Sequence, residues 1–120
     1  MIVSYDISLC DPVTHETLEV ESPHQIRGGN YVLGGTTEAW LNITYNYGRH
    51  FRRVLGEKGI RAIYGMSGAE SIPMLKEAAN KLGDDVSEDY WEPTEGNAKR
   101  ALYGLIALAQ MRPDGVWEGD

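Results

Sequence analysis

A single cysteine, Cys10, stands in the 120-residue chain. That excludes an internal disulfide and a zinc site built on cysteines, and it fits a reducing compartment. No window approaches the roughly 20 apolar residues that span a bilayer, and no cationic stretch followed by an apolar run marks a secretory signal. A cytoplasmic protein without membrane contact is expected, in which the sequon Asn42-Ile43-Thr44 carries no glycan. Bases are scarce toward the C-terminal end. Residues 84–120 hold nine acids against three bases, whereas residues 1–83 hold nine against eight. The net charge of −7 and the pI near 4.9 therefore arise almost wholly after residue 83, and they oppose direct binding to a polyanion such as DNA.

What is present is patterning enough for one globular domain over residues 1–120. Val3, Tyr5, Ile7 and Leu9 alternate with polar residues, the period of a strand with one buried face. After the turn chemistry of Asp11-Pro12, Leu18 and Val20 alternate again, so an N-terminal antiparallel hairpin is expected, with a further short strand at Tyr31–Leu33. From Thr37 the spacing of Trp40, Ile43, Tyr47, Phe51 and Val54 predicts a helix ending in Arg49, Arg52 and Arg53 before Gly56. Ile60–Tyr64 reads as another strand, and Ile72–Leu82 as a second helix with Pro73 in its first turn. Pro93-Thr94 opens a third helix that runs to Met111 and is apolar on almost every side from Ala101. The expected fold is α+β: a small, mostly antiparallel sheet packed with three helices, the C-terminal one central.

Two glycine-rich loops raise the question of an anion site, because a helix N-terminus offers free N–H groups and a favourable dipole. One is Gly34, Gly35, Thr36 and Thr37; the other is Ser67, Gly68 and Ser71, with Arg27 or Arg61 as a possible cation for either. Neither is a P-loop or a dinucleotide fingerprint. Glu38 and Glu70 already complement those helix starts, and Ser67 with Glu70 has the spacing of a capping box. A ligand cradle and a plain turn both remain open. The same holds for the basic run Arg49–Arg61, which carries five of the eleven Lys and Arg residues: it either grips an anion or complements its own helix dipole.

The segment DDVSEDYWEPTE has six acids and no base between Asp84 and Glu95. Asp84, Asp85, Glu88, Asp89 and Glu92 surround the adjacent rings of Tyr90 and Trp91, so the segment can serve as an acidic, ring-anchored surface for a basic protein groove. It can equally be a solvated loop whose acids favour the next helix. Catalytic patterns are thin. His15, His24 and His50 lack ligand spacing, Cys10 has no activating neighbour in sequence, and Ser67 lacks the nucleophile-elbow pattern. No metal site, cofactor or catalytic residue is expected.

The runs GGTTEAWLNITYNYG, GEKGIRAIYGMSGAES and EGNAKRALYGLIALAQMRPDGVWEGD resemble those of small uncharacterised phage and prophage proteins, over most of the chain. The resemblance implies a setting and no chemistry: an accessory factor that binds a host enzyme or a defence complex. The expected function is therefore a non-enzymatic acidic protein that modulates a host protein or protein–nucleic acid complex by surface contact. The alternative is a small-ligand protein that holds a nucleotide or phosphate metabolite at the glycine-rich loops.

Overall fold

The computed structural model describes residues 4–24 and 35–120 and has an α+β fold, with three helices and two small antiparallel sheets. Strand β1 (Ser4–Cys10) is central in a three-stranded sheet. On one side lies β4 (Trp40–Thr44), with Ile43 opposite Tyr5 and Leu41 opposite Ile7. On the other lies β5 (Val116–Gly119), with Trp117 opposite Leu9. The alternation of β1 has its expected result: Tyr5, Ile7 and Leu9 are buried, and Asp6 between them is exposed. Val3, the proposed strand at Tyr31–Leu33, Gly34 and Arg27 lie outside the described residues.

The hairpin begins as expected and then diverges. Asp11 N–H bonds Glu16 carbonyl, Leu18 N–H bonds Leu9 carbonyl, and Cys10 bridges Thr17. Beyond that point β4 and β5 occupy both edges of β1, so β2 (Glu19–His24) pairs instead with β3 (Thr36–Glu38) in a second sheet. The two sheets meet where Leu9 N–H donates to Ala39 carbonyl and Ala39 N–H to Leu18 carbonyl.

The helix expected from Thr37 starts eleven residues later. Residues 36–44 are the strands β3 and β4, a 3₁₀ turn follows at Tyr45–Tyr47, and α1 spans Gly48–Leu55. Leu41 and Ile43 satisfy a period of two as well as a helical one. Cross-strand pairing with Ile7 and Tyr5 decides the matter, and Asn42 and Thr44 are weak helix formers. The end of α1 is as read from the sequence, with Arg52 and Arg53 in its last turn and Gly56 beyond it at φ 99°. Ile60–Tyr64 is not a strand: Gly59–Ile63 form a 3₁₀ helix that buries Ile60 and Ile63.

Helix α2 (Gly68–Asn80) begins in a complete capping box between Ser67 and Glu70. Helix α3 (Glu95–Met111) is capped by Thr94 and buries ten residues, among them Leu102, Leu105, Ile106 and Leu108. One apolar cluster joins the inner face of the sheet to Phe51, Leu75, Ala79, Leu102, Leu105 and Trp117. Within it the Trp117 indole N–H donates to Ser71 Oγ at 2.7 Å, and Ser71 donates to the Gly68 carbonyl. No helix among the described residues is long and apolar enough to cross a membrane.

Candidate functional site

Between α2 and α3 the acidic segment forms a loop that folds back over the start of α3, because the first turn of that helix supplies its partners. Asn97, buried at 4% exposure, accepts from Ser87 N–H through its amide oxygen and donates to the carbonyls of Asp89 and Glu92. Gly96 sits directly under the loop: a Cβ there would lie 2.7 Å from the carbonyl carbon of Asp85. A side chain at residue 96 would therefore push the loop backbone away.

Most of the carboxylates are engaged within the molecule. Asp84 pairs with Lys99 at 2.7 Å, Asp85 accepts from Gly96 N–H, and Asp89 accepts from Trp91 N–H. Glu92 accepts from the Ser87 hydroxyl, and Glu95 accepts from Gly83 N–H and from Arg53 at 2.6 Å. The Gly83 N–H, helped by Arg53, holds the Glu95 carboxyl below its ordinary value. Each of these carboxylates retains lone pairs facing water, and the side chain of Glu88 makes no bond among the described residues.

The two aromatic neighbours part company. Tyr90 turns inward, half-buried against Tyr47 with ring centroids 5.4 Å apart, and Tyr47 in turn packs edge-on to Phe51 in the core. The Tyr47 hydroxyl donates to the Tyr90 carbonyl, and burial raises the Tyr47 phenol to about 12. Burial also raises the Tyr90 phenol far above its ordinary value; its oxygen lies buried against the Thr44 backbone without a well-formed hydrogen bond. Trp91 turns outward. Its ring rests edge-on against Tyr90 at 5.9 Å and stays 45% exposed, while its carbonyl accepts from Asn46. A row of rings thus runs from Phe51 through Tyr47 and Tyr90 to a half-exposed indole. His50 adds a bond to the Pro93 carbonyl, so α1 supports the loop from the side.

The glycine-rich loops are placed differently. At the start of α2 every first-turn N–H is already bonded: Gly68 to the Gly115 carbonyl, Ala69 to the Pro113 carbonyl and Glu70 to Ser67 Oγ. Gly68 lies against the Arg112 carbonyl, where a Cβ would come within 2.7 Å, and Ser71 is fully buried. An anion finds no free donor there. Thr36 and Thr37 belong to strand β3 rather than to a helix start, with Gly35 just ahead of it. Arg61 projects elsewhere, toward Tyr5, Tyr45 and Asp120.

Of the histidines, Cys10 and Ser67, only His15 and Cys10 meet at a common group, the Glu118 carboxylate. Cys10 is buried, and burial with Glu118 nearby pushes its thiol up, away from the reactive thiolate. His15, held at φ 64°, bonds Glu118 at 3.0 Å, and His24 bonds the Glu38 carbonyl. Asp11 accepts from Val13 and Thr14 N–H and Asp6 from Asn42, which are structural roles. Asn42 of the sequon is 4% exposed within β4. A shallow groove of about 470 Å³ opens between Pro12, His15, Tyr64 and Glu118. Among the described residues no group of three or more His, Cys, Asp and Glu is placed to hold a metal ion.

The residues that sequence reasoning missed are those that hold the loop: Asn46, Tyr47, Gly96 and Asn97. None of them carried a local signal: Asn97 stands beside Glu95, Lys99 and Arg100 in the polar first turns of α3, ahead of the apolar run from Ala101. Compared with family models, curated proteins and solved structures, the chain matches none.

Proposed function

We propose that this chain is a non-enzymatic binding protein that docks on a basic surface of another protein through the loop Asp84–Glu92, with Trp91 as its anchor. One observation carries the reading: a large indole is left 45% exposed on a loop whose backbone is otherwise tied to the core by Asn97, Asn46 and Tyr47. Such a loop has already lost its conformational freedom, so a partner gains the contact without ordering it. Indoles in this setting are the residues that dominate binding energy at interfaces. The surrounding carboxylates give the partner its sign and speed the encounter. Tyr90 acts as the support of Trp91 and makes no contact of its own.

In the phage setting that the sequence resemblance implies, the partner is a cytoplasmic host enzyme or defence complex, inhibited or redirected by occupation of a basic groove. The test is affinity capture from host extract with the native chain and with Trp91→Ala, both shown folded by circular dichroism. Retention of a defined protein by the native chain, weakened by salt and lost in the variant, is expected. Equal retention by the two chains would refute the assignment.

A further inference from the structure

The loop Asp84–Glu92 has a neighbour of opposite sign on its own chain, and the two lie side by side. Asn46, His50 and Arg53 reach the loop region from α1 and the turn before it, bonding the carbonyls of Trp91 and Pro93 and the Glu95 carboxylate. Arg49 stands three residues after Asn46 and four before Arg53, which places it on the same side of the helix. It is exposed, as are Arg52, Arg53 and Lys58. Between Arg49 and Lys58 these four bases face one acid, Glu57. Among the described residues only Arg53 of the four is ion-paired, with Glu95 at 2.6 Å.

The loop itself carries five acids and no base. Among the described residues Asp84 alone of the five meets a cation, Lys99. Asp85, Asp89 and Glu92 accept only from backbone N–H groups and a hydroxyl, which leaves their charge uncompensated. Val86 at 55% and Trp91 at 45% exposure add apolar surface among these carboxylates. The Arg53–Glu95 pair is therefore a seam, with bare cations of α1 on one side and bare carboxylates and an indole on the other.

We propose that, until another basic surface displaces it, the loop docks on α1 of a second copy of this chain in a twofold dimer. The inference rests on the reading of the loop as a docking surface and names a further partner for it. A twofold axis along the seam sets each acidic loop on the basic helix of the facing copy, so the same contact is made twice. The Trp91 indole then covers the guanidinium of Arg49 in that copy, a pairing of ring and cation that is favourable in itself. The net charge of −7 opposes association at long range. At about 0.15 M salt that repulsion is screened within roughly 8 Å, a short distance in a molecule 36 Å long. Charges in direct contact are screened much less. The dimer hides Trp91, so a host protein must displace the second copy to reach it.

The test is sedimentation velocity over a concentration series at about 0.15 M salt, with the native chain, Arg49→Glu, Glu88→Lys and an equimolar mixture of the two variants. Both side chains are exposed and bond nothing among the described residues, so each variant keeps the fold, as circular dichroism will check. The native chain should pass from monomer to dimer as its concentration rises, and the dimer should weaken at about 1 M salt. Each reversal alone should weaken dimerisation about tenfold or more. The mixture should recover it as a heterodimer, because one contact is native and the other has both signs exchanged. A native chain that stays monomeric up to about 0.5 mM, open polymers in place of a dimer, or a mixture no tighter than its components would overturn the proposal. A monomeric chain that still captures a host protein through Trp91 would overturn this inference alone, and a dimer that captures none would overturn only the assignment of a host partner.

Discussion

Removing one oxygen from Tyr47 should both destabilise the protein and abolish part of its alkaline sensitivity. In the native chain this phenol is fully buried and donates to the Tyr90 carbonyl, the bond that ties the acidic loop to the core. Tyr47→Phe keeps the ring and its edge-on packing against Phe51 and Tyr90, so the loss is the hydrogen bond plus a carbonyl left unpaired, about 1–2 kcal/mol. The dependence on pH is the sharper expectation. The folded phenol titrates at about 12 against an ordinary 10.0. An acid whose folded value is raised contributes stability that is present in full below pH 10 and is lost as the pH climbs toward 12, here on the order of 2 kcal/mol. The variant has no phenol at this position to ionise. The advantage of the native chain in urea unfolding, followed by far-ultraviolet circular dichroism, should therefore hold steady up to pH 10 and vanish by about pH 12. A difference that stays constant over that range would show that the phenol is not confined as described. Faster amide exchange in residues 84–92 of the variant at neutral pH would locate the effect in the loop.

Two further substitutions test the frame. Gly96→Ala would gain up to about 1 kcal/mol of helix propensity, but its methyl group would stand 2.7 Å from the Asp85 backbone; a net loss of stability and faster exchange over residues 84–92 are expected, and a stabilised chain with an unchanged loop would refute the close approach. Ser71→Ala leaves the fully buried indole N–H of Trp117 without its acceptor, which should cost about 1–3 kcal/mol in urea unfolding; a loss below about 0.5 kcal/mol would mean that the indole finds another partner.

Elements whose pattern is local were legible. The alternation of β1, the S-x-x-E cap of α2 and the long apolar run of α3 each specify their own geometry, and the α+β class follows from them. Elements decided by distant partners were not. Trp40, Ile43 and Tyr47 fit a helical spacing well, and only the open edge of β1, far upstream in the chain, turns that segment into a strand. Strand β5 spans four residues, too few for a period, although Trp117 is among the most deeply buried side chains. The acidic loop was legible as charge and rings but not as a tethered structure, because Asn46 and Tyr47 reach it from 45 and 43 residues upstream. The exposure of Trp91 and the inward turn of Tyr90 follow from that tether, and no periodicity separates two adjacent aromatics in a loop.

The order of strands in the main sheet has a consequence for how the chain acquires its shape. The first of these strands to be synthesised lies in the middle, flanked by a segment around residue 40 and by another at residues 116–119. Until that last segment leaves the ribosome, one flank of β1 exposes unsatisfied backbone donors and acceptors, and the pocket that Trp117 fills stays vacant. A nascent chain of this protein is therefore poised to recruit a foreign strand, or a chaperone, for longer than one whose neighbouring strands follow each other directly.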